Sequence, residues 1–403
     1  MLSRTFSTFF ESEKSSALVL MACTAVALFL ANSSWGPGYL HFWHQRVWGL
    51  SLEHWVNDAL MAVFFLLIGL ELERELYVGE LSSLKNALLP MVAAIGGIVV
   101  PAGLHFALNT GTPTQAGSGI PMATDIAFAI GALALLGSRV PPMLKVFLTA
   151  TAVMDDLGAI VVIAAFYSNG LSLGYLAAAG FMFGVLVLCN RMFRITSLIP
   201  YLVGGAFMWF LMLRSGVHAT IAGVLLAFAI PFAPRKRPEG RAGDTEQNAF
   251  SLGIPEESPS HTLEHILYKP VAFVILPLFA LVNTGVVFDA QWQQGLASAN
   301  SLGILAGLVL GKPLGILLFS YAAVAMGLCR LPSGMGWRQV IGLGLLAGIG
   351  FTMSIFITNL AFPDQPAIVN ASKMAILLAS ILSGAAGVIW LGLLKRSRED
   401  PAG

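Results

Sequence analysis

Apolar residues fill this chain in long runs, separated by short polar punctuation, and that pattern predicts membrane-crossing helices. A crossing of about 30 Å needs about 20 mainly apolar residues. Twelve runs qualify, near residues 15–32, 56–76, 87–108, 120–136, 143–167, 173–190, 199–213, 217–232, 266–287, 301–322, 338–360 and 372–394. The seventh and eighth are short and separated only by "RSG" at 214–216. The first contains "ALVLMACTAVALFLA", the length of a signal-peptide core, but Glu11 and Glu13 precede it and the cleavage pattern is weak, so a retained helix is expected. The longest polar stretch, 233–265, holds "RKRPEGRAGDTEQN" and several prolines and reads as a cytoplasmic linker between two halves of a single membrane domain, 1–403. No stretch outside the runs is long enough for a soluble enzyme domain, so a non-enzymatic role is expected.

Composition agrees. The chain is 57% hydrophobic and 11% charged, where a soluble domain carries roughly 25% charge. The expected fold class is therefore an all-α polytopic membrane protein of about twelve transmembrane helices. A net charge of +1 gives no reason to invoke nucleic acid. Cys23, Cys189 and Cys329 lie in or beside apolar runs without ligand spacing and read as packing residues. Basic residues set the orientation. With the N-terminus inside, all 22 Lys and Arg except Arg46, Arg214, Lys312 and Lys373 fall on the inner side, so both termini are expected to be cytoplasmic.

Charge within the runs is what needs explaining. "MDDLGAI" puts Asp155 and Asp156 near the centre of the fifth run, where each charge costs several kcal/mol. Neighbours on a helix point about 100° apart, so one partner does not readily satisfy both. Asp125 lies in the fourth run, and Lys312, in "LVLGKPLGILL", is the basic residue at depth. Carboxylates grouped with one lysine make a cation-attracting site in which burial and mutual repulsion oppose full ionisation, so a carboxylate can hold a proton or a metal cation. A structural ion pair involving one of the aspartates is the plainer alternative. Two runs look broken: the fourth at "PMATD", the eleventh at Gly342, Gly344, Gly348 and Gly350. Breaks of this kind free carbonyls to ligate cations at the midplane, although Gly-rich spans also serve close packing. Crossed broken helices would leave opposed dipole ends, which Asp125 and Lys312 could neutralise. A sodium-coupled solute symporter would share these features but should also line a cavity for an organic solute. An intramembrane aspartyl protease would place its aspartates on facing helices, a poor match to adjacent Asp155 and Asp156, though spacing alone leaves Asp125 with Asp156 open.

With these residues in view, the sequence resembles the NhaA-type sodium/proton antiporters over nearly its whole length. The resemblance is carried by "VNDALMAVFFLLIGLELERE", "PMATDIAFAIGALALLGSRVP", "MDDLGAI", "SGVHATIAGV", "LEHILYKPVAFVILPLFALVNTGV", "GKPLGI" and "GIGFTMSIFI". It implies an inverted-repeat transporter fold in which segments four and eleven are interrupted and cross. It implies electrogenic export of sodium or lithium in exchange for protons by alternating access, regulated by pH, in the bacterial cell inner membrane, with no cofactor. Asp156 would be the principal site for the transported ion and proton, and Asp155 its partner, paired with Lys312 when no ion is bound. Thr124 and Asp125 would belong to the unwound part of segment four. Glu71, Arg74 and Glu75, with Glu264 and His265, match the family's pH-responsive cluster, and His218 matches a position near the outer end of segment eight. From spacing alone, Glu71, Arg74 and Glu75 would equally be an interfacial ion-pair group. Tyr268 stands where some relatives have a second histidine, which bears on the pH set-point. Asn57 and Asp58 match too, near a span end. A homodimer is possible, its contacts expected within the aromatic-rich external loop 41–54, "HFWHQRVWGLSLEH". Membrane lipids are the remaining expected partner.

Overall fold

In lipid the backbone must satisfy its own hydrogen bonds, and the apolar runs accordingly fold as helices. A computed structural model describes residues 13–167, 170–232, 258–288, 290, 292–332 and 334–394. In chain order the main helices are α1 (Glu13–Ala31), α2 (Leu52–Tyr77), α3 (Leu84–Asn109), α4 (Ile126–Leu135), α5 (Pro142–Phe166), α6 (Leu173–Arg191), α7 (Leu198–Ser215), α8 (Ile221–Ala229), α9 (Pro259–Asn283), α10 (Ala299–Ala325), α11 (Trp337–Ala347), α12 (Phe351–Ala361) and α13 (Pro366–Leu393). Among the described residues nine helices are long and apolar enough to cross a membrane, and the count reaches eleven when each of two bent pairs is one crossing. The molecule is thus an all-α polytopic membrane protein.

The twelfth expected crossing is the exception. Segment eight, read as 217–232, is helical only over Ile221–Ala229, nine residues. Gly216 ends α7 in the left-handed conformation (φ 83°), and Pro231 follows the end of α8. The linker read at 233–265 falls outside the described residues up to 257; residues 259–265 are already helical, as the start of α9.

Contacts divide the chain into two compact units. The second, residues 54–87 and 166–275, has a core in which Leu66 and Leu70 of α2 pack with Tyr201 and Met208 of α7, Leu226 of α8 and Leu263 of α9. There α2 and α8 approach closely: a Cβ on Gly69 would lie 2.6 Å from that of Ala227. Small residues permit such contact where the hydrophobic effect does not drive helix association.

The first unit, residues 1–53, 88–165 and 276–403, contains both bent pairs. A 3-10 segment, Pro113–Met122, meets α4 at 45° across residues 123–125, and α11 meets α12 at 47° across residues 348–350. The breaks lie against each other. The Asp125 N–H donates to the Ile349 carbonyl at 2.7 Å, and the Ser354 hydroxyl donates to the Ile120 carbonyl at 2.7 Å. Gly348 lets the second break pack on α10, because a Cβ there would strike the Leu308 carbonyl. Between α1 and α2 the chain forms a short helix, Gly36–Trp43, and a hairpin pairing Arg46–Val47 with Leu50–Ser51. Its turn has positive φ at Trp48 (52°) and Gly49 (87°), as two-residue hairpin turns require.

Candidate functional site

Asp155 and Asp156 sit near the middle of α5, and both are buried. Opposite them stands Lys312, at 0% exposure, on α10. The turn before it, Gly307–Gly311, is a π-helical stretch, a local widening that recurs at functional sites. Gly315, one turn later, lets α10 close on α3, because a Cβ there would meet the Gly96 carbonyl.

The Lys312 Nζ lies 2.7 Å from Asp155 Oδ2 and also donates to the Met122 carbonyl, at the end of the 3-10 segment. The Thr124 hydroxyl lies 2.9 Å from the same Asp155 oxygen and 3.0 Å from the carbonyl of Ala347, the last residue of α11. One hydroxyl proton serves one of these acceptors at a time. Asp155 Oδ1 is buried with no hydrogen-bond partner among the described residues. Asp156, 1% exposed, leaves the helix about 100° away.

Asp125 does different work. Its Oδ1 accepts from the Phe128 N–H at 3.0 Å and so caps α4. Its Oδ2 accepts from both the N–H (3.0 Å) and the hydroxyl of Thr352, in the first turn of α12. One carboxylate thus faces two helix N-termini, where partial positive charge collects. At the opposite ends Lys312 takes the Met122 carbonyl and Thr124 approaches that of Ala347. The crossing brings together Thr124, Asp125, Asp155 and Lys312, with Asp156 on the same helix as Asp155.

The second group of predicted residues occupies the end of α2 and the start of α9. Arg74 Nε lies 3.0 Å from Glu264 Oε1, and its terminal nitrogen 3.3 Å from Glu75 Oε1. Glu71 lies in the electrostatic field of Glu264, Arg74 and Glu75. The histidine beside this cluster is His261, its Nδ1 3.7 Å from Glu264 Oε2, whereas His265 is exposed. His218 is half-buried in the turn between α7 and α8, away from these residues in sequence. Asp58 lies in the π-helical stretch Trp55–Leu60 at the start of α2, its carbonyl accepting from the Trp209 indole at 3.3 Å.

Several participants were not singled out in the sequence. Thr352 lies within the quoted "GIGFTMSIFI", and a threonine just after a glycine break marks a helix start, yet its partnership with Asp125 needs the fold. Met122 and Ala347 act through backbone carbonyls, which no side-chain motif discloses. Thr151 is buried one turn before Asp155, its hydroxyl without a partner among the described residues.

A buried charged pair of this kind beside two bent helix pairs fits an ion transporter better than a lone structural bridge, and the chain's relatives agree. The family described as Na+/H+ antiporter 1 matches residues 7–391. The chain is 63% identical over 396 residues to the Na(+)/H(+) antiporter NhaA of Dechloromonas aromatica, covering 98% of this chain and 97% of the relative. It is 55% identical to Na(+)/H(+) antiporter NhaA 1 of Flavobacterium johnsoniae over 99% of both chains. The Na(+)/H(+) antiporter NhaA of Vibrio campbellii is 45% identical over 98% of this chain and 97% of its own length. With the family match running from residue 7 to residue 391, this chain belongs to the Na+/H+ antiporter 1 family.

Proposed function

We propose that this protein is an electrogenic antiporter that exports sodium, and lithium in its place, from the bacterial cytoplasm in exchange for protons, at one buried site containing Asp155 and Asp156. The observation that carries the reading is the buried Lys312–Asp155 pair beside Thr124, set where two broken helices cross. A buried pair of this kind is a weak source of stability, because desolvation offsets most of its attraction. It does, however, offer a cation a carboxylate whose counter-charge can be discharged.

Mechanism follows from that competition. A sodium ion drawn to the site displaces the proton from Asp156 and replaces Lys312 as the counter-charge of Asp155, and the lysine, stripped of its partner in a dry interior, gives up its own proton. On the acidic side the steps reverse. Asp156 takes a proton, Lys312 recovers its own and returns to Asp155, and sodium leaves. An empty site with both carboxylates ionised is costly to bury, so access alternates only when the site is loaded. Asp125 holds the crossing by neutralising two positive helix ends, and Thr124 supplies an oxygen to the site. Glu71, Arg74, Glu75 and Glu264 form an ionisable cluster whose charge regulates exchange with pH. Both termini face the cytoplasm, and the protein resides in the inner membrane.

Asp156→Asn tests the reading. Sodium-dependent proton release in everted vesicles should be abolished, with the purified variant melting near the wild-type temperature. Near-normal exchange by Asp156→Asn would end the proposal.

A further inference from the structure

The second unit holds a cavity that the exchange site does not use, of about 560 Å³, within the size range of small-molecule sites. It lies where three helices end: Tyr77 is the last residue of α2, Arg191 the last of α6, and Phe232 follows α8. These ends belong to the membrane face that the basic-residue count marks as cytoplasmic. Glu73 lines it at 5% exposure, one turn before Tyr77. Of the carboxylates in the neighbouring cluster, Glu75 and Glu264 pair with Arg74 and Glu71 lies in its field. Glu73 has only the Ser260 hydroxyl, donating at 3.3 Å, and no cation among the described residues. Arg191 is exposed at the rim and forms no ion pair among them. The rings of Tyr77 and Phe232 stack at 5.0 Å and 15°, and Phe183, Val187 and Phe228 complete an apolar wall.

We infer that this cavity binds the headgroup of an aminophospholipid, a zwitterion with a primary ammonium. The pieces match one by one. A buried carboxylate without a cation is costly to ionise, and an ammonium with N–H donors supplies the missing counter-charge. The aromatic pair adds a surface favourable to a cation. Arg191 meets the phosphate, which guanidinium groups recognise well, and the apolar wall continues along the acyl chains. A purely anionic lipid would satisfy Arg191 and leave Glu73 unmatched; a quaternary ammonium would supply charge but no N–H for the carboxylate. Placement at the ends of membrane helices selects a bilayer lipid over a soluble amine. The site is independent of the exchange reading.

Native mass spectrometry of the delipidated full-length protein, offered equal amounts of phosphatidylethanolamine, phosphatidylcholine and phosphatidylglycerol with the same acyl chains, tests this. Phosphatidylethanolamine should be retained preferentially. Glu73→Gln should cut that preference about tenfold, the order expected for one lost hydrogen bond to a charged group. Arg191→Gln should weaken retention of phosphatidylethanolamine and phosphatidylglycerol together. Should either variant fail to fold, the wild type decides alone, in competition along the N-methylated series from phosphatidylethanolamine to phosphatidylcholine. Retention falling with each methyl supports the site. Equal retention along the series, or free phosphoethanolamine competing as well as the lipid, overturns it.

Discussion

At the scale of single residues, the cost of burial separates the roles of three charged groups. Lys312 and Asp155 are each fully buried and 2.7 Å apart, so removing one strands the other. Breaking such a pair costs about 3–5 kcal/mol, whereas removing both charges together is close to neutral. Lys312→Met should therefore lower the melting temperature in detergent well below that of the Lys312→Met, Asp155→Asn double variant. Equal melting of the single variant and the wild type would refute the pairing. Asp125 is a different case, because its partners are backbone ends. Asp125→Asn keeps an acceptor for Phe128 or Thr352 but loses the charge that faces two helix N-termini. Each such charge–dipole contact contributes up to about 2 kcal/mol when partly buried. The expected outcome is a lower melting temperature with residual exchange, unlike the complete loss expected of Asp156→Asn. An Asp125→Asn variant as stable as the wild type would remove Asp125 from this role. The chemistry of these residues was legible in the sequence because charge in an apolar run is rare and has to be compensated. Their pairing was not legible from spacing alone, where Asp155 could have met Lys312 or none, and came only from the family resemblance; Thr352 gains its meaning only once α12 starts beside Asp125.

Elements decide how closely the groups can approach. Gly348, in the break between α11 and α12, packs tightly on its neighbours, since a Cβ there would strike the Leu308 carbonyl of α10 and lie 2.7 Å from the Ser383 hydroxyl of α13. Backbone cannot yield as a flexible side chain can, so Gly348→Ala should cost about 1–3 kcal/mol, the range for overpacking, and slow exchange. Gly174→Ala, which meets open space on α6, is the matched control. If Gly348→Ala melts and transports like the control, the crossing is looser than its contacts imply. The two breaks themselves were legible, because proline and clustered glycines interrupt an apolar period. The start of the first break was not, since Pro113–Met122 carries Thr114, Gln115 and Ser118 and does not read as part of a span. The nine-residue α8 was hidden for the opposite reason: apolar residues continue past Ala229, and periodicity does not show where a helix stops. The hairpin between α1 and α2 was likewise read only as an aromatic loop. It presents Trp48 at 90% exposure, a candidate contact for a second copy of the chain. Trp48→Ser should reduce any dimer seen by cross-linking while leaving exchange per subunit unchanged.

For the whole molecule the consequence is electrical. In the proposed mechanism the proton-loaded site holds Asp155 and Lys312 as an ion pair and Asp156 protonated, so it is neutral. Loaded with sodium, it holds two carboxylates, one cation and an uncharged lysine, and so carries one net negative charge. Returning between these states moves two protons one way and one sodium the other, which carries one positive charge inward for each sodium expelled. A membrane potential then acts directly on exchange, at about 2.3 kcal/mol per charge per 100 mV. A tenfold ratio corresponds to 1.4 kcal/mol, so about 60 mV, negative inside, should sustain a roughly tenfold outward sodium gradient with no pH difference. Because this is a statement about equilibrium, it holds whichever way the protein inserts. Proteoliposomes clamped with potassium and valinomycin provide the measurement, with internal sodium read at steady state under matched pH. An exchanger of one proton per sodium would show no gradient at any potential, and that result would remove Lys312 as a proton carrier while leaving Asp156 in place. A Lys312 variant that still transports should behave in the same voltage-insensitive way, because the lysine supplies the second proton. The two experiments therefore assign the charge movement to a residue and not merely to the protein.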